Sequence, residues 1–339
     1  MRKWFVGSAL CVLIASFTVA QAQGKLAEVR NRGSLVCGVN DVLPGFGTVN
    51  EEGEHEGFDV DFCKAIAAAV LGDADAVTYR PLSAQERFTA VQTGEVDVLI
   101  RNTTWTSSRD TEVGLNFGPV IFYDGQGFMV RRDSGIESLE DLEGRRIGVQ
   151  SGTTTELNLA DVMSALDIQY EPVIFETSDQ LVAAYDDGAV DAWTTDKSGL
   201  ASLLISLSDP EEHRILDATI SKEPLAPAVL HGDDEWYDVV KWVIFGLMEA
   251  EEYGITSENV RELAETSTNP NIQRILGAEP SAVEQIGLEA DAIATAIEAV
   301  GNYGEIYERN LGEGTPFNIP RGLNAQYYEG GLIYGMPFR

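Results

Sequence analysis

The pattern of apolar and polar positions after residue 35 predicts short strands that alternate with amphipathic helices. Residues 35–39 form a short apolar run, and a Gly- and acid-rich loop follows it. Over 58–71, Phe62, Ile66 and Val70 recur every four positions, and Gly72 follows. This spacing gives a helix one apolar face, and glycine is a common helix stop. The first unit is therefore predicted as strand, loop and helix.

The same order of elements continues and then restarts further along the chain. Further strands are predicted at 77–80, 96–100, 146–149 and 171–175. Further helices are predicted at 84–93, after a capping box of Ser83 and Glu86, after a second capping box of Thr153 and Glu156, and at 178–185. Strands that alternate with helices imply right-handed crossovers and a largely parallel sheet. The sequence thus predicts an α/β fold built from two similar units.

A four-residue repeat supports this duplication. Gly-Glu-Val-Asp at 94–97 recurs as Gly-Ala-Val-Asp at 188–191, each after a predicted helix and before a strand, although chance or ordinary helix–strand packing also explains so short a match. Five residues beyond each aspartate lie Asn102 and Asp196. Ligands of parallel α/β sheets bind at the carboxyl ends of the strands. We therefore expect both residues to face one cleft if the two units face each other.

Two segments are candidates for the crossings between the units. Residues 119–128 form an apolar strand interrupted by Gly125 and Gly127, which suits a hinge. A second crossing is expected near 220–227, where Pro224 and Pro227 exclude a helix, although a proline-rich loop is the alternative. Beyond residue 255 the chain adds helices, notably over 291–308, which we expect to pack on the first unit.

The amino terminus predicts a secretory signal peptide over residues 1–22. Arg2 and Lys3 precede an apolar stretch, and Ala20-Gln21-Ala22 offers a cleavage site. Cys11 lies within the apolar stretch and lacks the context of a lipoprotein anchor. No later run approaches the roughly 18 apolar residues of a membrane span. A soluble, secreted mature protein is expected.

The net charge limits which partners the chain can bind, and its cysteines raise the question of a disulfide. The chain has a net charge of −32, and cleavage would remove two of its 23 basic and none of its 55 acidic residues, leaving −34. Such a surface is a poor partner for nucleic acid. After cleavage Cys37 and Cys63 remain in a compartment that permits disulfides. They either pair or stay as two buried thiols.

Several polar residues could hold a zwitterion. Arg109 follows the hydroxyl- and amide-rich run 102–108, and arginine grips carboxylates bidentately, although a pair with Asp110 is the alternative. Thr153 and Thr154 precede a helix, whose N-terminus attracts anions, although Thr153 also serves as a plain cap. Asp196 supplies a carboxylate for an ammonium, or is a surface acid.

Familiar enzyme constellations do not occur in the sequence. His55, His213 and His231 are scattered without metal-ligand spacing, and there is no C-x-x-C, nucleophile elbow or Walker loop. Neither catalysis nor a metal or cofactor is expected.

Four motifs resemble the polar-amino-acid-binding family of ABC importers, solute-binding protein family 3. They lie at 57–61, at 101–106 together with Arg109, at 123–130 and at 148–156. Residues 302–310 and 321–324 further resemble the general L-amino-acid-binding proteins, so the likeness spans the mature chain. It implies a bilobal, monomeric periplasmic protein that delivers free L-amino acids to permease subunits in the inner membrane. Its expected boundaries are 23–123 and 224–339 for lobe 1, with the helical extension, and 124–223 for lobe 2.

The resemblance also implies roles for individual residues. Arg109 and the Thr154 backbone would bind the ligand's α-carboxylate with help from Thr104 and Thr153, while Asp196 and the Asn102 carbonyl would take the α-ammonium. Many relatives carry an aromatic ring where Leu43 stands here. Phe46 or Trp105 would compensate, or simply pack in the core. A broad ligand range is expected, and the alternative is an enzyme resembling the cyclohexadienyl dehydratases on the same fold.

Overall fold

The computed structural model describes residues 24–277 and 281–339, so the predicted signal peptide, 1–22, lies outside the described residues. Its strands are β1 (Leu35–Val39), β2 (Val42–Leu43), β3 (Gly47–Val49), β4 (His55–Glu56), β5 (Val77–Pro81), β6 (Val98–Leu99), β7 (Leu115–Phe117), β8 (Phe122–Asp124), β9 (Gln126–Arg131), β10 (Arg146–Gln150), β11 (Glu171–Phe175), β12 (Ala192–Asp196), β13 (His213–Ile215), β14 (Glu223–Leu225) and β15 (Ala228–Leu230). Its α-helices are α1 (Lys25–Arg32), α2 (Phe58–Leu71), α3 (Arg87–Gln92), α4 (Ser107–Thr111), α5 (Thr154–Ala165), α6 (Ser178–Asp186), α7 (Lys197–Leu204), α8 (Asp234–Glu252), α9 (Val260–Thr266), α10 (Pro270–Ile275), α11 (Ala292–Val300) and α12 (Tyr303–Asn310). Among these helices none combines the length and the apolar character that a bilayer crossing needs.

Two five-stranded sheets form the cores of two lobes, which confirms the predicted bilobal α/β fold. The first has the order β5-β1-β6-β15-β7, in which β1 runs parallel to both of its neighbours. The second has the order β11-β10-β12-β9-β13, in which β10 is likewise parallel to both neighbours. The chain passes from the first sheet to the second through β8 and returns through β14, and these two strands pair antiparallel.

The four-residue repeat occupies equivalent positions in the two lobes. Gly94 and Gly188 adopt φ values of 73° and 75°, a conformation that glycine reaches without strain. The carboxylate of Asp97 accepts the N–H of Val36 at 2.7 Å, at the start of β1. The carboxylate of Asp191 accepts the N–H of Arg146 at 2.9 Å, at the start of β10. Each aspartate thus ties the turn after the second helix of its lobe to the first strand.

Some predicted helices and strands are longer than the observed ones. The helix predicted over 84–93 begins at Arg87, because the Ser83–Glu86 hydrogen bonds close a turn ahead of the α-helix. The strand predicted over 96–100 pairs only at 98–99. The helix predicted over 291–308 is two helices, because Gly301 (φ 82°) ends α11 and Asn302 caps α12. After Asn310 the chain continues in largely irregular structure with two short 3-10 helices.

The first lobe holds the larger core, and the C-terminal helices belong to it. The helices α2, α8 and α11 pack on one another through buried apolar faces, as expected for the segment beyond residue 255. A disulfide joins Cys37 in β1 to Cys63 in α2, with Cα atoms 6.2 Å apart, so the pairing that the sequence left open is present.

The C-terminal segment also contacts the hinge. Tyr123 in β8 lies opposite Pro224 in β14, which has no N–H to donate. The backbone groups of Tyr123 point away from β14 and bond to the side chain of Asn324: its Oδ1 accepts the Tyr123 N–H at 2.6 Å and its Nδ2 donates to the Tyr123 carbonyl at 3.2 Å. One amide side chain therefore pairs with β8 as a third strand would.

Candidate functional site

A cavity of about 60 Å³ lies between the two lobes, at the carboxyl ends of their parallel strands. The first lobe lines it with Asn40, Leu43, Arg87, Arg101, Asn102 and Thr104. The second lobe lines it with Gln150, Thr153, Thr154, Thr155, Trp193 and Asp196, among others. At about 10 to 15 Å³ for each water molecule, the space holds roughly four to six waters. That volume suits one small polar molecule and is small for a peptide.

Five of the residues predicted from sequence line this cavity: Asn102, Thr104, Thr153, Thr154 and Asp196. Asn102 has a φ of 33°, which few residues other than glycine adopt. Its strained backbone is held because its N–H donates to the buried Asp59 carboxylate at 2.8 Å. Asn40 also donates to the Asn102 side chain at 3.1 Å. The residue is thus fixed in place at the cavity wall.

The N-terminus of α5 faces the same space. The Thr153 hydroxyl accepts the N–H of Glu156 at 3.2 Å, as a helix cap. The Glu156 carboxylate accepts the Gly152 N–H at 3.0 Å rather than that of Thr153, so the predicted capping box is only half formed. The N–H groups of Thr154 and Thr155 are left without an acceptor inside the helix. They can bind an anion.

Three other predicted residues do not line the cavity. Arg109 is buried and donates to the Thr104 carbonyl at 2.8 Å, one residue away from the wall. Phe46 is fully buried in the core against Phe58 and Phe122, and Trp105 is 40% exposed, where it stacks on Phe117. The expected aromatic compensation for Leu43 is therefore not found, because packing on other rings holds both side chains elsewhere. The alternative pair of Arg109 with Asp110 is not seen either, since Asp110 accepts the Trp105 indole N–H at 2.8 Å.

The lobes touch around the cavity, so this is a closed arrangement. Gln85 of the first lobe donates to the Ser151 hydroxyl of the second at 2.8 Å. The Ser202 hydroxyl of the second lobe bonds to the Pro44 carbonyl of the first.

Glu223, which sequence reasoning missed, joins the lobes beside the cavity. It is 1% exposed and stands at the start of the crossing strand β14. Its Oε2 accepts the hydroxyl protons of Thr104 in the first lobe at 2.6 Å and of Thr154 in the second at 2.8 Å. Its Oε1 accepts from Asn158 of α5 at 2.8 Å and from Ser221. Since each threonine has one hydroxyl proton, both hydroxyls can only accept hydrogen bonds from a ligand.

Two arginines that were not predicted form part of the wall. Arg87 is 3% exposed, its Nη1 donates to Thr103 at 3.3 Å, and its Nε has no partner. Burial lowers the pKa of Arg87 well below its usual value, and the nearby Arg101 and Arg109 lower it further. Burial also lowers the pKa of Arg101 to about 10, against the opposing effect of Asp59. This side of the cavity is electropositive.

The second lobe contributes one buried acid, Asp196, to the cavity wall, and two more acids lie near it. Burial raises the pKa of Asp196 well above its usual value, and the neighbouring Asp124 and Glu223 carboxylates raise it further. Burial likewise raises the pKa of Asp124 to about 6. Asp196 therefore gains most from a cation placed in the cavity, because a cation would stabilise its ionised form.

Comparison with known proteins is consistent with this geometry. Residues 35–259 match the sequence model of the bacterial extracellular solute-binding proteins, family 3. The chain is 52% identical to the general L-amino acid-binding periplasmic protein of Rhizobium johnstonii, over 98% of this chain and 97% of that one. It is 49% identical to the glutamate/glutamine/aspartate/asparagine-binding protein of Rhodobacter capsulatus, over 100% and 99%. A solved periplasmic binding protein from Brucella ovis, with glutathione bound, is 51% identical with a TM-score of 0.91, over 94% of this chain and 100% of that one.

Proposed function

This chain belongs to family 3 of the bacterial extracellular solute-binding proteins, and we propose that it binds a free L-amino acid between its lobes for delivery to an ABC-importer permease. One observation carries the proposal. The cavity between the lobes is bordered by the Asp196 carboxylate, by buried arginines and by the free N–H groups at the start of α5. Opposite charges across a small cavity complement a zwitterion.

We assign the α-ammonium of the ligand to Asp196 and the Asn102 carbonyl. The Thr104 hydroxyl is better suited to the ammonium than to a carboxylate, because its proton is donated to Glu223. We assign the α-carboxylate to the Thr154 N–H and to Arg109, with Thr153 holding the helix start. Arg109 lies behind Thr104, so its guanidinium must turn toward the cavity when the ligand binds.

The remaining wall supports a broad range of amino acids. The apolar part of the wall consists of Leu43, Leu181, Leu203 and Trp193. Apolar walls discriminate weakly, since one methylene changes binding by only about 1 to 3 kcal/mol.

Closure is the expected response to the ligand. Because both lobes contribute to the cavity, the ligand gains contacts in the closed state that the open state lacks, and it shifts the population toward closure. We propose that the closed form, as a monomer in the periplasm, docks on permease subunits in the inner membrane. The relatives from Rhizobium johnstonii and Brucella ovis, which are periplasmic proteins, support that location.

Isothermal titration of the refolded, signal-free protein tests the proposal. Refolding removes ligand carried over from expression. The titrants are the L-amino acids, glutathione and a cyclohexadienyl acid. We expect one-to-one binding of several amino acids, strongly weakened in Asp196→Asn and unchanged in Asp187→Asn, which removes an exposed carboxylate from the same lobe.

The rivals predict different results. Turnover of the cyclohexadienyl acid without amino-acid binding would favour the dehydratase alternative. Binding of glutathione alone would replace free amino acids with a peptide as the ligand.

A further inference from the structure

Three buried arginines of the first lobe, Arg87, Arg101 and Arg109, form no ion pair within the described part of the chain. They are 3%, 6% and 7% exposed. By contrast, Arg309 pairs with Asp61 at 2.6 Å and Arg321 pairs with Glu251 at 3.0 Å. An unpaired buried charge is costly. The three positive charges of the cluster therefore exceed the single negative charge that one α-carboxylate would bring.

Arg87 is the arginine of this cluster whose buried charge is least offset by hydrogen bonds and nearby acids. Its Nε has no hydrogen-bond partner, and its contact with Thr103 is long at 3.3 Å. Arg101 donates to the Leu82 carbonyl at 2.6 Å and has acids on its own lobe, Asp59 and Asp41, near it. The acids near Arg87 are Asp196 and Glu223, which belong to the second lobe and the hinge. Arg87 thus lines the cavity and has N–H groups that are free to donate to a ligand.

Its position on α3 explains how an arginine comes to be buried there. Ala90 and Val91 follow Arg87 by three and four residues and are both buried, so the three share the inward face of the helix. The guanidinium lies over the face of the Phe88 ring, 4.8 Å from its centroid, in a cation–π contact. A planar fork held in this way is arranged for bidentate binding of a carboxylate.

We propose that Arg87 receives a second carboxylate, carried by the ligand's side chain, so that acidic amino acids such as L-glutamate are the preferred ligands. The inference deepens the proposed amino-acid-binding function and rests on it. Arg109 and the start of α5 would hold the α-carboxylate, and Arg87 would determine which side chains bind most tightly. Neutral amino acids would still bind, through the groups that hold the zwitterion.

The test compares three ligands on four proteins by isothermal titration. The ligands are L-glutamate, its neutral isostere L-glutamine and the apolar L-leucine. The proteins are the wild type, Arg87→Met, Arg87→Lys and the control Arg80→Met, which removes an exposed arginine paired with Glu95 on the same lobe. Wild type should bind glutamate more tightly than glutamine.

Arg87→Met should weaken glutamate binding about 30-fold or more, because truncating one partner of a buried charge pair costs at least about 2 kcal/mol. Leucine binding should stay within about twofold, and Arg87→Lys should restore part of the glutamate affinity. Unliganded Arg87→Met should unfold at a temperature no lower than wild type, because it relieves repulsion among the arginines. Arg80→Met should change none of these values.

Other outcomes overturn the inference. An equal loss for glutamate and leucine would make Arg87 a receptor for the α-carboxylate or a purely structural residue. Wild-type protein that binds glutamine as tightly as glutamate would refute the preference even if the variants failed to fold. Absence of binding by every amino acid would instead refute the proposed function.

Discussion

Glu223 should control how firmly the two lobes hold together. The substitution Glu223→Gln keeps the shape of the side chain but leaves one accepting oxygen instead of two, and removes the charge. In the structure its two oxygens accept from Thr104, Thr154, Asn158 and Ser221. The backbone next to it is tied to the first lobe, because the Pro224 carbonyl accepts the Trp105 N–H at 2.8 Å. Opening therefore breaks the bonds from Thr154 and Asn158.

The size of the effect follows from those two bonds. A hydrogen bond to a charged group contributes about 1.5 to 3 kcal/mol and a neutral one about 0.5 to 1.5 kcal/mol. Losing the charge therefore costs roughly 1 kcal/mol for each bond, or about 2 kcal/mol for the closed state. That corresponds to an affinity up to about 30-fold weaker.

Two measurements check this expectation. Isothermal titration with L-glutamine should show the weaker affinity, and small-angle X-ray scattering of unliganded protein should show a larger radius of gyration. Glu211→Gln removes an exposed acid of the second lobe and should behave as wild type. If Glu223→Gln changed neither the radius nor the affinity, the reasoning that these bonds close the lobes would be refuted.

Three further predictions concern pH and the disulfide. Because burial raises the pKa of Asp196 and a ligand ammonium requires its ionised form, affinity should fall as pH drops through that pKa, by at most about tenfold per pH unit. Titrations in buffers of different ionisation enthalpy should detect the proton released, and an affinity that stays constant from neutral to acidic pH without proton release would contradict this. Replacing Cys37 and Cys63 by alanine together should lower the free energy of unfolding by roughly 3 to 4 kcal/mol, measured by urea denaturation, since the bond closes a loop with a sequence separation of 26. A reductant should destabilise the wild type but not this variant. Burial raises the pKa of Asp59 to about 7 from an ordinary 3.8, so the folded state binds more protons in between, and stability should fall as pH rises across that window by up to about 1.4 kcal/mol per unit. Denaturant unfolding of Asp59→Asn should lose this slope, and an equal slope in both proteins would exclude Asp59 as its source.

Sequence patterns predicted what local chemistry determines. The helix Phe58–Leu71 and its stop at Gly72 agree with the prediction, because apolar spacing and a left-handed glycine act within a few residues. The strand Glu171–Phe175 also agrees. Asn102 and Asp196 are predicted correctly because each lies at the carboxyl end of a strand in its own sheet, where α/β sheets bind ligands.

Site residues whose surroundings come from distant parts of the chain are harder to predict from sequence. Arg87 shares a helix face with apolar residues, and Glu223 shares a strand face with buried Leu225, which are signals of burial that the sequence contains. Arginine and glutamate are so often exposed that such signals are weak. For Glu223 the cost of burial is offset by groups distant in sequence, such as Thr104 and Asn158. Phe46 is a candidate from sequence because nothing local reveals that it packs against Phe58 and Phe122.

The two hydrogen bonds between Asn324 and the Tyr123 backbone affect where the connection between the lobes can rotate. Asn324 lies in a segment fixed to the first lobe, where Gln326 donates to the Met248 carbonyl at 3.1 Å. Both backbone groups of Tyr123 are thereby immobilised, so torsion must be absorbed beyond it, near Gly125. A side chain at Gly125 would meet Thr219 at 2.4 Å, so the residue that bends must also remain small. The C-terminal segment thus places the point of rotation nearer the second lobe. Only a few peptide bonds after Tyr123 remain free to change conformation in this connection between the lobes.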